Sequence, residues 1–136
     1  MQLEPTIWSK SYELGHSRLD SDHRHLVVIV NMLAKAINEL RMTEALALMR
    51  YFIATARRHF DVEEELMAKC NFINIERHKQ YHQRLLSYAK RIEMDCEFSR
   101  NPEYIRESYS DFIYCLLDDV MMGDKELVPI LNEVPQ

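Results

Sequence analysis

The chain has 136 residues, 47% of them hydrophobic, with two glycines, four prolines and a formal charge of −5. That length suits one domain with a sizeable core, and the shortage of glycine and proline favours an all-α chain over a turn-rich β-sandwich. A net negative charge without a strongly basic face argues against a nucleic-acid partner, and no apolar stretch approaches the ~18–20 residues of a membrane span.

The N-terminus is polar and charged, with Pro5 and Trp8 where a signal peptide needs an apolar run. Cys70, Cys96 and Cys115 form an odd, widely spaced set without a CxxC motif. They suit small core positions in a reducing cytosol, so the expectation is a soluble, cytoplasmic protein.

Residues 1–18 show no sustained period and read as an N-terminal arm in which Trp8, Tyr12 and Leu14 can lie across a core. Asp20 or Ser21 can cap a first helix running to about Met42, with the stripe His23, Leu26, Val30, Leu33, Ile37, Leu40. Thr43 is the expected cap of the second helix and Asn71 its end; the stripe includes Leu48, Phe52, Thr55, His59, Val62/Glu63, Leu66 and Cys70. Asn74 is the expected cap of the third, along which Ile75, His78, His82, Leu85, Ala89, Ile92 and Cys96 recur. Asn101 and Pro102 open the fourth, Gly123 closes it, and the stripe runs Ile105, Tyr109, Phe112, Leu116, Asp119.

Four helices with short connections fold most simply as an up-down-up-down antiparallel four-helix bundle. The chain divides into an arm over 1–18, a bundle over 19–123 and a C-terminal segment over 124–136, with no internal repeat or linker. Within "FIYCLLDDVMMGDK", Asp119 continues the inward stripe while Asp118 sits ~100° round the helix and reaches solvent.

In such a bundle the first helix's start adjoins the ends of the second and fourth and the start of the third. His23, His59, Glu63, His78, His82 and Asp119 therefore fall within about two turns of one end of the core. The pairs His59/Glu63 and His78/His82 have the i, i+4 spacing that places both side chains on one face. Each residue alone has a plainer reading: a hydrogen-bonded core histidine, an exposed pair, a surface aspartate on a frayed turn. Together, several imidazoles and carboxylates buried without a partner would cost several kcal/mol. A metal ion relieves that cost, and iron, manganese and zinc all accept such ligands. His16, in the arm, and His25, about 200° round from His23, are expected at the surface. "ELGH" has a Glu-x-x-His spacing, but it occurs once and outside the bundle.

The motifs resemble the hemerythrin family, in particular its bacterial branch, over nearly the whole chain. "IWSKSYELGHSRLDSDHRHL" is similar to the family's opening pattern, with a Trp, an aromatic, a glycine, Leu-Asp and then a ligand histidine. "HFDVEEELM", "HKQYH" and "GDKEL" resemble the family's second-helix, third-helix and terminal aspartate motifs. The resemblance implies two non-haem iron ions in the bundle. His23 and His59 would hold one, His78 and His82 the other, and Glu63 and Asp124 would bridge them. Asp124 enters only through the resemblance, since by itself it reads as a loop residue.

Where the family carries a further histidine, five residues before the bridging Asp, this chain has Asp119. The expectation is that Asp119 replaces that histidine as a ligand, giving four His and three carboxylates. A carboxylate stabilises the oxidised metal and shifts the balance toward manganese or zinc. The implied function is a di-iron protein that binds or senses O2 or a related small diatomic molecule. Leu116 and Val120 would keep its pocket apolar. Sensing would require a signalling partner protein. The alternatives are a carboxylate-rich di-iron redox enzyme consuming O2, peroxide or NO, and a metal-binding or storage protein without O2 carriage.

Overall fold

The computed structural model describes residues 2–131. Residues 132–136 of the expected C-terminal segment lie outside the described residues. Four long helices form the bundle: α1 (Ser17–Asn38), α2 (Met42–Lys69), α3 (Ile75–Met94) and α4 (Pro102–Tyr114). After α4 the chain winds as a π-helix over Cys115–Met121 and as a 3₁₀-helix over Gly123–Leu127, and the described residues close with the short α5 (Val128–Leu131). Each helix packs on the next in chain order and α4 returns against α1, the arrangement expected of short connections. No helix is long and apolar enough to cross a membrane.

The helix ends show local chemistry that periodicity alone could not rank. Asn101 caps α4 as expected, its side chain accepting from the Glu103 and Tyr104 amides at 3.0 and 3.4 Å. The start of α1 differs from expectation. His16 holds the cap position, its Nδ1 3.3 Å from the Leu19 amide, and it is buried rather than exposed. Asp20 turns back to accept from the Leu14 and Gly15 amides at 2.7 and 3.1 Å. Gly15 there has φ +81°, a conformation costly for any residue with a Cβ. The expected cap Thr43 is displaced by Arg41, because the chain reverses through left-handed Leu40 and α2 begins by burying Met42. His25 is exposed as expected, with Nε2 2.9 Å from the Tyr51 hydroxyl.

The arm lies along α1. Asn38 and Asn31 side-chain amides each pair with both backbone groups of an arm residue, Leu3 and Thr6 respectively, at 2.7–2.9 Å. These bonds satisfy arm backbone groups that no helix or sheet would otherwise engage. At the other end of the arm, Lys125 donates to the Ser11 and Glu13 carbonyls at 2.9 and 3.3 Å, tying it to the 3₁₀ segment.

Two apolar clusters fill the interior. The larger contains Leu26, Val30, Leu33, Ile37, Met49, Phe52, Leu85, Ile92, Phe112 and Leu116, with Phe52 and Phe112 edge-to-face at 4.9 Å. The smaller closes the opposite end with Leu14, Leu19, Met67, Leu127 and Leu131. Along α1 and α2 the inward stripe passes from one cluster to the other through charged or imidazole residues: Leu19–His23–Leu26 on α1, Met67–Glu63–Phe60 on α2. A polar layer is thus sandwiched between two apolar ones.

Candidate metal centre

Because α1 and α2 are antiparallel, His23 near the start of one meets His59 and Glu63 near the end of the other. His23, His59, Glu63 and Asp124 are all buried, and each offers one ligand atom within 4.8 Å of the others. His23 Nε2 lies 3.1 Å from Asp124 Oδ2 and 3.4 Å from Glu63 Oε2, and His59 Nε2 lies 2.8 Å from Glu63 Oε2. The second half of the layer comes from α3. His82 Nε2 is 3.1 Å from the other Glu63 oxygen, Oε1, and His78 Nδ1 is 3.5 Å from Asp124 Oδ1. The two carboxylates therefore face both histidine pairs. Asp124 reaches them because the 3₁₀ turn after Gly123 folds the chain back under the bundle, with the Tyr81 ring packed against that glycine.

Among the described residues, buried polar atoms without a hydrogen-bond partner concentrate here: both His23 nitrogens, Nε2 of His59, His78 and His82, and both carboxylate oxygens of Glu63 and Asp124. Buried native groups are ordinarily paired, so such a concentration calls for an ion. Imidazole nitrogens and carboxylate oxygens facing one point fit a borderline transition metal such as iron. In the protein alone, protons offset part of the cost. Burial would depress the His23 and His59 imidazoles, but carboxylates outweigh it, Asp124 and Glu63 lifting His23 to about 9 and Glu63, Asp22 and Asp124 lifting His59 to about 10. Burial pushes the Glu63 carboxyl up, yet the surrounding imidazoles hold it well below its usual range. Asp124 is raised by burial and by the charge of Glu63.

Outer carboxylates orient the rings. Asp22 Oδ2 lies 2.9 Å from His59 Nδ1, and Glu64 Oε2 lies 2.9 Å from His82 Nδ1, so both Nε2 atoms turn inward as unprotonated ligands must. Phe60 stacks on His82 at 3.8 Å with nearly parallel planes. His78 differs: its Nε2 faces Glu126 at 3.4 Å, and Glu126 is itself paired with Arg77. Asp22, Glu64 and Glu126 were not singled out from sequence. The signal available was adjacency, since Asp22 precedes His23 and Glu64 follows Glu63.

Asp119 is not brought to the layer. Its carboxylate lies 3.5 Å from the Arg84 guanidinium and its side chain is 26% exposed. The expectation that it continues the inward stripe assumed α-helical winding. The π-helix over Cys115–Met121 changes the register, and Leu116, Val120 and Met121 take the inward positions. Asp118 is exposed as expected. Cys96 and Cys115 are buried, and all three cysteines are free thiols. Burial pushes Cys96 up to about 11 and Cys115 up to about 12, which makes both inert packing residues.

Comparison with known proteins agrees with this geometry. Residues 14–131 match the family described as the hemerythrin HHE cation binding domain. The chain is 29% identical to a hemerythrin-like protein of Naegleria gruberi over 85 residues, 62% of this chain and 66% of that one. It is 29% identical to a myohemerythrin of Riftia pachyptila over 86 residues, 63% of this chain and 67% of that one. It is 23% identical to a bacteriohemerythrin of Clostridium acetobutylicum over 130 residues, 90% of this chain and 98% of that one. The matched span contains every residue of the buried polar layer. A bundle whose partnerless imidazoles and carboxylates lie between two apolar clusters, with these relatives, places the chain in the hemerythrin family as a binder of non-haem iron.

Proposed function

We propose that this protein holds two non-haem iron ions and uses them to bind O2 or a related small diatomic molecule. The observation that carries the reading is the buried layer of partnerless ligand atoms, in which Glu63 faces His23, His59 and His82 and Asp124 faces His23 and His78. On this reading His23 and His59 would hold one ion and His78 and His82 the other, with Glu63 and Asp124 as carboxylate ligands between the two pairs. Bound ferrous ions would supply the electrons and coordination sites that such a ligand requires.

The chain's own contribution is to orient and to exclude. Asp22 and Glu64 fix the tautomers of His59 and His82. Leu19, Met67 and Leu127 close one side of the layer, and Leu116, Val120 and Met121 close the other. Such walls admit a small apolar molecule more readily than bulk water. A cleft of about 540 Å³ between α2 and α3 reaches inward as far as Phe60 and His82. The redox-enzyme alternative drew on Asp119 as a third carboxylate at the centre; facing Arg84 instead, it lends that reading no support.

Anaerobic loading with ferrous iron followed by air, read by optical spectroscopy and metal analysis, tests the proposal. Two irons per chain, and an oxygenated spectrum that reverses when O2 is removed, are expected. Reconstituted protein without specifically bound metal would refute it. Binding of manganese or zinc in preference to iron would change the metal, and irreversible turnover would favour the redox enzyme.

A further inference from the structure

Two surface clefts each include one histidine of the buried layer in their walls, and their charges differ. The smaller, about 230 Å³, ends on His59. There Arg18, His25 and Arg58 surround a single carboxylate, Asp22, already engaged by Arg18 at 3.6 Å and by His59 at 2.9 Å. The larger, about 540 Å³ between α2 and α3, ends on His82 and is graded in charge. On its α2 wall Asp61 and Glu64 share one face, and Arg57 stands a turn further from the layer, ~6 Å along the axis from Asp61. On its α3 wall Lys90 lies ~12 Å of helix beyond His82 and pairs with Glu93 at 2.6 Å. The cations thus stand at the far end of the cleft and two carboxylates at the end that meets the layer. Asp61 is exposed and pairs with no cation among the described residues. Glu64 Oε2 lies 2.9 Å from His82 Nδ1, while His82 Nε2, buried and without a hydrogen-bond partner, lies 3.1 Å from Glu63 Oε1. His82 therefore joins the carboxylates of the cleft to those of the layer.

Resting on the metal-binding layer described above, but not on its holding two ions, we propose that the α2–α3 cleft is the entry port for the metal. A hydrated divalent cation is captured by Asp61 and Glu64 and passed by His82 to Glu63. Carboxylate oxygens replace its water step by step, so the ion never crosses either apolar cluster bare, where desolvation would cost most. For the ion to pass, Glu64 releases His82 Nδ1 and the ring turns from its stack on Phe60; afterwards the same bond orients the seated ligand. The guanidinium-lined cleft at His59 repels a cation and serves no such passage.

The test is stopped-flow uptake of cobalt(II) by metal-free protein, followed optically, with release to a chelator measured in parallel. A cleft lined by one sign of charge raises the on-rate of its counter-ion by about 10–10³-fold. Asp61→Lys is therefore expected to slow uptake about tenfold or more at low salt, the deficit shrinking as salt is raised. Gln83→Trp, at an exposed position beside His82, fills the cleft and should slow uptake at every salt concentration. A blocked path serves both directions, so release should slow by the same factor and affinity should stay unchanged. Arg58→Glu, in the other cleft, should leave the uptake rate as it is. If Arg58→Glu speeds uptake tenfold while Asp61→Lys does nothing, the ion enters beside His59 and the proposal falls. One uptake rate in every variant, independent of cobalt concentration, would mean that entry waits on opening of the whole bundle and would also overturn it. Failure of the unmutated chain to bind cobalt would overturn the metal reading and this port with it.

Discussion

The apolar half of the bundle and its polar end share the inward stripes of α1, α2 and α3, yet their energetics are opposite. Around Phe52, Phe112, Ile92 and Leu33 the stripe buries hydrocarbon, and every burial adds stability. Two or three turns further along, the same stripe buries imidazoles and carboxylates that lack partners, at a cost. One half therefore holds the fold and the other holds a ligand. The lesson is that a binding layer of this kind can be maintained because a larger apolar cluster stabilises the helices that carry it.

Removing Glu63 should break the polar end most severely, since its two oxygens face His23, His59 and His82. Glu63→Ala is expected to abolish specific metal binding, measured by metal analysis after chelator competition, while helicity by circular dichroism is retained. Retained stoichiometry would show that the two halves are not joined through this carboxylate. The matching change in the apolar half is Phe52→Ala. It should cost about 3–5 kcal/mol in denaturant unfolding, with metal content per folded chain unchanged. A loss of metal content per folded chain would mean that the halves are coupled more tightly than their separation suggests.

A smaller effect should come from pH. His23 and His59 have folded-state values of about 9 and about 10, above the ordinary 6.5 of an imidazole. Their protonated forms are favoured by the fold, so this stabilisation is complete below about pH 6.5 and is lost as pH rises through 9 to 10. The melting temperature of metal-free protein should therefore fall across that range. Metal-loaded protein, whose imidazoles have already released those protons, should be much flatter. Parallel curves for the two forms would contradict the assignment. The smallest effect expected is that of Glu64→Gln, which weakens the orienting bond to His82 without removing a ligand. It should lower metal affinity about 10–100-fold by chelator competition, leaving the unfolding of metal-free protein nearly unchanged. An equal effect on metal-free stability would make Glu64 a structural residue only.

Much of this architecture is written in the sequence because helices obey a local period. Stripes of Leu, Ile, Val and Phe at threes and fours define four helices, and Asn101-Pro102 marks a start. The i, i+4 pairs His59/Glu63 and His78/His82 follow from the same rise and turn. Antiparallel topology then brings residues far apart in sequence to one level. What the tertiary structure decided lies where local winding or distant partners intervene. Asp119 turns outward because one π-helical stretch shifts the register, and a change of winding leaves no mark in a periodicity of residue types. His16 is buried because Asp20 folds the Leu14–Gly15 backbone onto the start of α1, a contact made only once the arm has a helix to lie against. Asp124 reaches the centre because the chain turns back under the bundle after Gly123, and its carboxylate meets His23 and His78 only when α1, α3 and that turn are packed together.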